Sequence, residues 1–336
     1  MGVLLALLGA ASFAVMNVAV RKGVRPGDRD NGVLTTVVIN VVIFSLLIAA
    51  MGLAGGLPAL PSAGIAAFIG AGLASTFIGR TTLFAGIRRA GAVRAAAVKN
   101  ATPVVTLMIA LTLLGERLTP LAGVGIALIM LGVALVVRES MDRSGREDLS
   151  TDRASPARMG LESEVLADGA PPESLEPDYG DRGPAPSGAS RAMLVGLGLS
   201  GLAAVSFGAG HALRKVGMDF LPDAAIGAAV GSWSALAAYA LGAAVQGRLR
   251  SIPTSVTAWR PYFWLAGIAG GVGQISFFAA LNFAPVAHVS VVAASETILT
   301  VAFAGLVAHR AEQITRELIL PATLVVAGVA AIALAR

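Results

Sequence analysis

Residues 102–137 read TPVVTLMIALTLLGERLTPLAGVGIALIMLGVALVV, two apolar runs joined by the short polar stretch GERLTP. A helix needs about 20 apolar residues to cross roughly 30 Å of hydrocarbon, and each run approaches that length. The connection has the chemistry of a helix stop followed by a helix start. Gly115 can end one helix in a left-handed conformation. Thr119 can cap the next, and Pro120 suits its first position, where a missing N–H costs nothing. The stretch predicts a tight hairpin of two membrane helices, closed at one surface between Leu113 and Leu121.

The same pattern extends in both directions. Five apolar spans, at about 2–20, 33–54, 64–87, 95–114 and 119–137, precede a polar middle. Five more follow it, at about 192–213, 223–245, 262–283, 287–308 and 318–335. They are too long and too unbroken for the alternating ten-residue strands of a membrane barrel. The first is expected to be a span and not a cleaved leader, because Arg21 and Lys22 follow its apolar run. Composition agrees: 56% of the 336 residues are hydrophobic and only 13% charged, about half the charge of a soluble domain. A soluble enzyme, a disordered chain and a nucleic-acid-binding protein are excluded. The chain has no cysteine, which removes disulfides, thiolate metal sites and a cysteine nucleophile. The expected fold class is an all-α polytopic membrane protein with ten transmembrane helices.

Residues 139–190 differ from the rest. They hold twelve acids against five arginines and Pro-rich runs such as ADGAPPESLEPDYGDRGPAPSGAS. So few apolar residues cannot offset the entropy of ordering. The stretch reads as a disordered acidic linker between two five-helix blocks, 1–138 and 191–336.

The blocks repeat one another. At a spacing of 194, Ser12-Phe13 meets Ser206-Phe207, Gly79 meets Gly273 and Thr106 meets Thr300. At 196, Glu116 meets Glu312, Thr119 meets Thr315, and Gly132-Val133-Ala134 meets Gly328-Val329-Ala330. An odd number of spans per block, with a linker that does not cross, inverts the second block relative to the first. Two inverted repeats that exchange conformations are a recurring transporter design.

The run 102–137, with its LLGERLTP hairpin and the Gly-rich fifth span, resembles the EamA-type repeat of the drug/metabolite transporter superfamily. Residues 70–94 resemble that family's third helix and small-residue turn. The second copy keeps Ser295-Glu296, similar to the family's S-x-E-P entry, but lacks the Pro; its hairpin, HRAEQITRE, lacks the Gly and Pro. The first copy has Thr102 where the second has Glu296, followed by Pro103. The resemblance implies a ten-helix transporter of small metabolites or drug-like compounds and both termini inside the cell.

Ionisable groups at membrane depth are costly and usually face protein or water. Glu296, about ten residues into span nine, could bind a cation, carry a proton or pair with Arg80 or Lys99. Arg80 lies two-thirds along span three, with Gln274 at the matching position. Lys99 and Thr102 are three apart near the start of span four, on one helix face. Asn17 matches His211 between spans one and six. These seven are the candidate substrate-binding residues; for each a packing or interfacial role stays open. Arg88, Arg89 and Arg94 read as loop charges, and Glu116 and Glu312 as residues that hold their hairpins. The pairs Gly52/Gly56, Gly227/Gly231 and Gly267/Gly271 suit close helix packing.

No P-loop, kinase, HExxH or G-x-S-x-G motif occurs, and His211, His288 and His309 form no evident metal set. The expectation is a non-enzyme without cofactors: a secondary transporter, an exporter by preference, in the plasma membrane, with a small-molecule substrate, open to proton coupling. A lipid-linked or nucleotide-sugar carrier and a non-transporting membrane scaffold are the alternatives. Twelve Lys/Arg in loops 21–32, 88–94, 246–261 and 309–317, against Arg117, Arg214, Lys215 and Arg336 on the other side, favour termini outside. This count opposes the orientation that the resemblance implies.

Overall fold

The computed structural model describes residues 1–23, 32–90, 95, 98–135, 138, 187–245, 247, 260–307 and 311–335. Among the described residues ten helices run in order. The first block gives α1 (Gly2–Gly23), α2 (Val33–Gly55), α3 (Ser62–Ala71, then a π-helical turn Gly72–Gly79, then Arg80–Ala90), α4 (Thr102–Thr112) and α5 (Pro120–Leu135). The second gives α6 (Ser187–Phe220), α7 (Ala224–Val245), α8 (Pro261–Ala280), α9 (Val286–Ala293 and Glu296–Val307) and α10 (Ala311–Leu334). The expected linker, 139–190, lies outside the described residues except for 187–190, which begin α6.

The hairpin forms as its residues dictate. Gly115 adopts φ 66°, where a side chain would be strained. The Glu116 N–H returns to the Ala110 carbonyl at 3.0 Å, and Thr119 Oγ1 accepts the Ala122 N–H at 3.3 Å.

Polarity is inverted relative to a soluble bundle. Leu4, Leu8, Leu46, Met108, Leu194 and Leu241 are exposed, while Thr36, Asn40, Ser75, Thr106, Ser232, Gln274 and Ser290 are buried. Helices satisfy their own backbone groups, so this surface suits lipid. Among the described residues six helices are long and apolar enough to cross a membrane by length and composition; the apolar stretches Thr102–Thr112, Pro120–Leu135, Val286–Thr300 and Ile319–Leu334 are shorter. The shortfall against ten full spans has local causes. α4 is preceded by a turn at Asn100–Ala101, α9 is interrupted by one at Ala294–Ser295, and α10 opens on the polar residues AEQITRE.

Within the bundle α1 lies along α8 and α6 along α3, while α2 meets α7. Small residues set these distances. A Cβ on Gly125 of α5 would stand 2.7 Å from the Gly328 carbonyl of α10, and one on Gly132 would stand 2.8 Å from that of Pro321. Gly227, Gly231, Gly267 and Gly271 also face neighbouring helices, as their spacing predicts. Gly52 and Gly56 do not: a Cβ at either would meet at most the edge of Leu57, because they lie at the exposed end of α2.

Candidate functional site

Two turns organise the candidate site, one inside α9 and one just before α4. α9 turns at Ala294–Ser295, where Ser295 N–H bonds back three residues to Val292, at 3.1 Å, and its hydroxyl takes the same carbonyl at 2.7 Å. On the other block, Ala101 N–H bonds back three residues to Val98, and Thr102 Oγ1 donates to the Lys99 carbonyl at 2.7 Å. The two turns, Asn100–Ala101 and Ala294–Ser295, are 194 residues apart, the spacing of the sequence repeat.

Across these turns Lys99 Nζ meets Glu296 Oε1 at 2.6 Å. Glu296 opens the second segment of α9, ten residues after Val286 and so about 15 Å along the helix. Beside the ion pair, Thr297 Oγ1 donates to Asn100 Oδ1 at 3.1 Å, and Lys99 Nζ lies 5.7 Å from the centre of the Phe207 ring.

The remaining candidates separate into distinct contacts. Arg80 does not form the ion pair with Glu296; its guanidinium reaches Thr36 of α2 at 3.5 Å. Gln274, at the matching position, donates to the Ala228 carbonyl and to Ser232 Oγ, both on α7, at 3.2 and 3.3 Å. Asn17 Nδ2 donates to Thr300 Oγ1 at 3.4 Å, and His211 Nδ1 lies 3.5 Å from Thr106 Oγ1. These last two contacts join equivalent positions in opposite order, since 17 corresponds to 211 and 106 to 300.

His211 belongs to a short polar cluster. Thr106 Oγ1 donates to the Thr102 carbonyl at 3.0 Å, Ser290 Oγ lies 3.1 Å from Thr106 Oγ1, and His211 Nδ1 lies 3.1 Å from Ser290 Oγ. Ser290 can turn its proton to Thr106 or to the ring, so His211 accepts or donates according to its tautomer.

Sequence reasoning missed three parts of this arrangement. Arg214 was counted with the loop charges, but α6 continues to Phe220 and buries it. Its guanidinium donates to Ser75 Oγ at 2.9 Å and lies 5.4 and 5.2 Å from the rings of Phe277 and Phe278. The signal was present: Arg214 follows His211 by three residues, on one helix face, and the stop signal is Pro222 with Asp223, whose carboxylate caps α7. Ser290 carried no signal apart from its apolar surroundings. Glu116 does more than hold its hairpin. Its carboxylate accepts the N–H groups of Val286 and Ala287, at 2.7 and 3.2 Å, and so caps α9 from the other block. Glu312 lies among side chains outside the described ones.

An open cleft of about 360 Å³ lies at this end of the bundle, lined by Glu116, Arg117, Lys215 and residues 281–285. It is at the mouth of the helix array and does not include the Lys99–Glu296 pair. Among the described residues no group of three His, Cys, Asp or Glu could hold a metal ion.

Residues 1–138 match the sequence profile of the EamA-like transporter family. The match spans the first five-helix block, and that family lies within the drug/metabolite transporter superfamily. This match and the apolar helices indicate an integral membrane protein; the family matched by the first block is one of transporters. No curated protein matches it. A solved protein, described only as a crystal structure of a protein, is 16% identical, with a TM-score of 0.64 over 99% of this chain and 98% of the other. At that identity the likeness concerns the fold alone. It covers the second block as well as the first.

Proposed function

We propose that the chain is a secondary transporter that moves a small metabolite or drug-like compound across the plasma membrane, outward, by alternating access between two inverted five-helix repeats. The reading is carried by the paired contacts Asn17–Thr300 and Thr106–His211. A two-fold relation exchanges the partners of every contact it generates, and these residues exchange at a spacing of 194. Two further pairs support it. Gly79 faces Phe207 as Gly273 faces Phe13, and at a spacing of 196 Gly125 faces Gly328 as Gly132 faces Pro321. The turns before α4 and inside α9 support a binding site beside the axis, since irregular backbone at membrane depth is tolerated where it lines a cavity or is buried in protein.

On this reading Glu296 and Lys99 border the site, with Thr102, Asn17 and His211 along its walls, while Arg80 and Gln274 flank it from α3 and α8. Proton coupling belongs to this reading, with the His211 ring, in contact with Ser290 and Thr106, as its candidate carrier. On this reading the termini lie outside the cell, as the Lys/Arg count favours; burial of Arg214 in α6 takes one of the four basic residues from the sparser side.

The test is counterflow. Purified chain in sealed vesicles, preloaded with unlabelled metabolites, should accumulate the matching labelled compound, and Glu296→Gln should slow that uptake with the protein still folded. Folded protein giving no counterflow across amino acids, organic acids, sugars and amines would refute transport. Unchanged flux in Glu296→Gln would remove that residue from the site.

A further inference from the structure

Charges inside these helices do not balance. Among the described residues Lys99 is paired with Glu296, and Lys215 with Asp219. Glu116 and Asp223 are spent as helix caps. Arg80 and Arg214 have no carboxylate within salt-bridge distance among the described residues. Arg80 meets a hydroxyl at the limit of a hydrogen bond. Arg214 is only 8% exposed, and among the described residues its one protein acceptor is Ser75 Oγ. The Ser75 proton is already donated to the Ala71 carbonyl at 2.7 Å, so the hydroxyl oxygen is turned to the guanidinium as an acceptor. A guanidinium carries five N–H donors in a planar fork, and a buried charge is normally paired. The rings of Phe277 and Phe278 hold the group without neutralising it.

The position of Arg214 matters as much as its charge. Phe207, His211 and Arg214 occupy successive turns of one face of α6, and the contacts they make follow one another: Lys99 at Phe207, Ser290 and Thr106 at His211, Ser75 at Arg214. A polar strip thus runs from the ion pair toward the end of the bundle that carries the open cleft. Lys215, the next residue of α6, lines that cleft. The strip has aromatic walls and an excess of positive charge.

We propose that the cargo is an organic anion, bearing a carboxylate or a phosphate, and that Arg214 docks its charged group. A carboxylate or phosphate oxygen pair would take two of the unspent N–H donors. Phe277, stacked near both His211 and Arg214, would cover the apolar part of the compound. Lys99 and Glu296 neutralise one another and leave the charge preference to the arginines. The inference rests on the transport reading for the word cargo, but the anion site itself does not.

The experiment is ligand-dependent thermal stabilisation of the purified full-length chain in detergent, at ionic strength matched with sodium chloride. The probes are benzoate, inorganic phosphate, benzylamine and benzyl alcohol. Benzoate, phosphate or both should raise the melting temperature in a saturable manner, and benzylamine and benzyl alcohol should not; which anion acts identifies the charged group. Arg214→Gln should weaken the active anion by about ten-fold or more, while Lys22→Gln, at the exposed end of α1, should not. A general salting effect of phosphate would persist in Arg214→Gln and would count against the site. If Arg214→Gln does not fold, Arg214→Lys keeps the charge but not the fork, and should bind benzoate more weakly than the parent. Equal response to benzylamine, no saturable response to either anion, or an Arg214 variant with unchanged affinity would overturn the inference. Binding without flux in vesicles would instead sink the transport reading and leave the anion site. Counterflow of a cation with no anion response would do the reverse.

Discussion

The Lys99–Glu296 ion pair predicts a coupling that can be measured. Replacing Glu296 with Gln keeps the side chain's size but leaves Lys99 without its counter-charge. Removing one partner of a fully buried pair costs about 3–5 kcal/mol. Here the two side chains are 24% and 16% exposed, so solvent recovers part of that loss. The Phe207 ring offers the ammonium a further ~0.5–1 kcal/mol. The expected cost of Glu296→Gln is therefore about 2 kcal/mol. Lys99→Met should cost a similar amount, because it strands the carboxylate. The double variant has no stranded charge, and should be less destabilised than the two single variants summed, with a coupling of at least ~1 kcal/mol.

The assay is reversible unfolding of the four proteins in detergent micelles, followed by tryptophan fluorescence. Arg80 supplies the internal comparison. Its hydrogen bond goes to Thr36 and not to Glu296, so the Arg80→Gln/Glu296→Gln cycle should give a coupling well below that of Lys99/Glu296. Additive single variants at Lys99 and Glu296, or a larger coupling at Arg80, would refute the assignment of the pair.

Glu116→Ala should cost about 0.5–2 kcal/mol, the usual value of a helix cap, and hydrogen exchange should accelerate at Val286 and Ala287 while α5 is unaffected; equal protection would refute the inter-block cap. Gly328→Leu should destabilise by about 1–3 kcal/mol through overpacking, because a Cβ there already comes within 2.6 Å of the Gly125 carbonyl; Gly52→Ala, with no such neighbour, should leave the melting temperature unchanged. Replacing residues 145–186 with a short Gly/Ser segment should preserve folding and vesicle transport, since loop closure depends weakly on length; loss of either would assign the acidic stretch a structural or gating role.

What was legible in the sequence is what neighbouring residues decide. The hairpin follows from Gly115, Thr119 and Pro120 alone, and each performs the role its chemistry indicates. The positions of the helices follow from the apolar runs, although among the described residues only six reach full membrane length. The repeat spacing was legible through Gly79, Thr106 and Glu116, and it later aligned the turns before α4 and inside α9. Failures came where a residue's meaning depends on a distant partner. Arg214 reads as a loop charge only if span six ends at Ala212 or Leu213; Pro222 and Asp223 place the end further on. Gly52 and Gly56 have the spacing of a packing motif, but no helix comes to meet them.

Glu116 shows why this boundary falls where it does. Its local setting, one residue after a left-handed glycine, accounts fully for a turn residue, and nothing nearby asks for more. Its partner is the start of a helix 170 positions away, whose first N–H groups lack partners within the helix. Proline at position 285 adds a second constraint, because it stops any helix continuing backward from Val286 and so fixes where those N–H groups stand. The first segment of α9 is thereby held to the other block at both ends, by Glu116 at Val286 and by Lys99 just beyond Ala293. A short helix held by two carboxylate contacts and by the Ser290–Thr106 contact between them, with a turn at Ala294–Ser295 following it, can shift as a unit only as those contacts yield. The cap at the cleft is the more exposed to competition from water, because Glu116 itself lines that cleft. Motion that opens this end should therefore begin by releasing Val286 and Ala287, before the Lys99–Glu296 pair is disturbed.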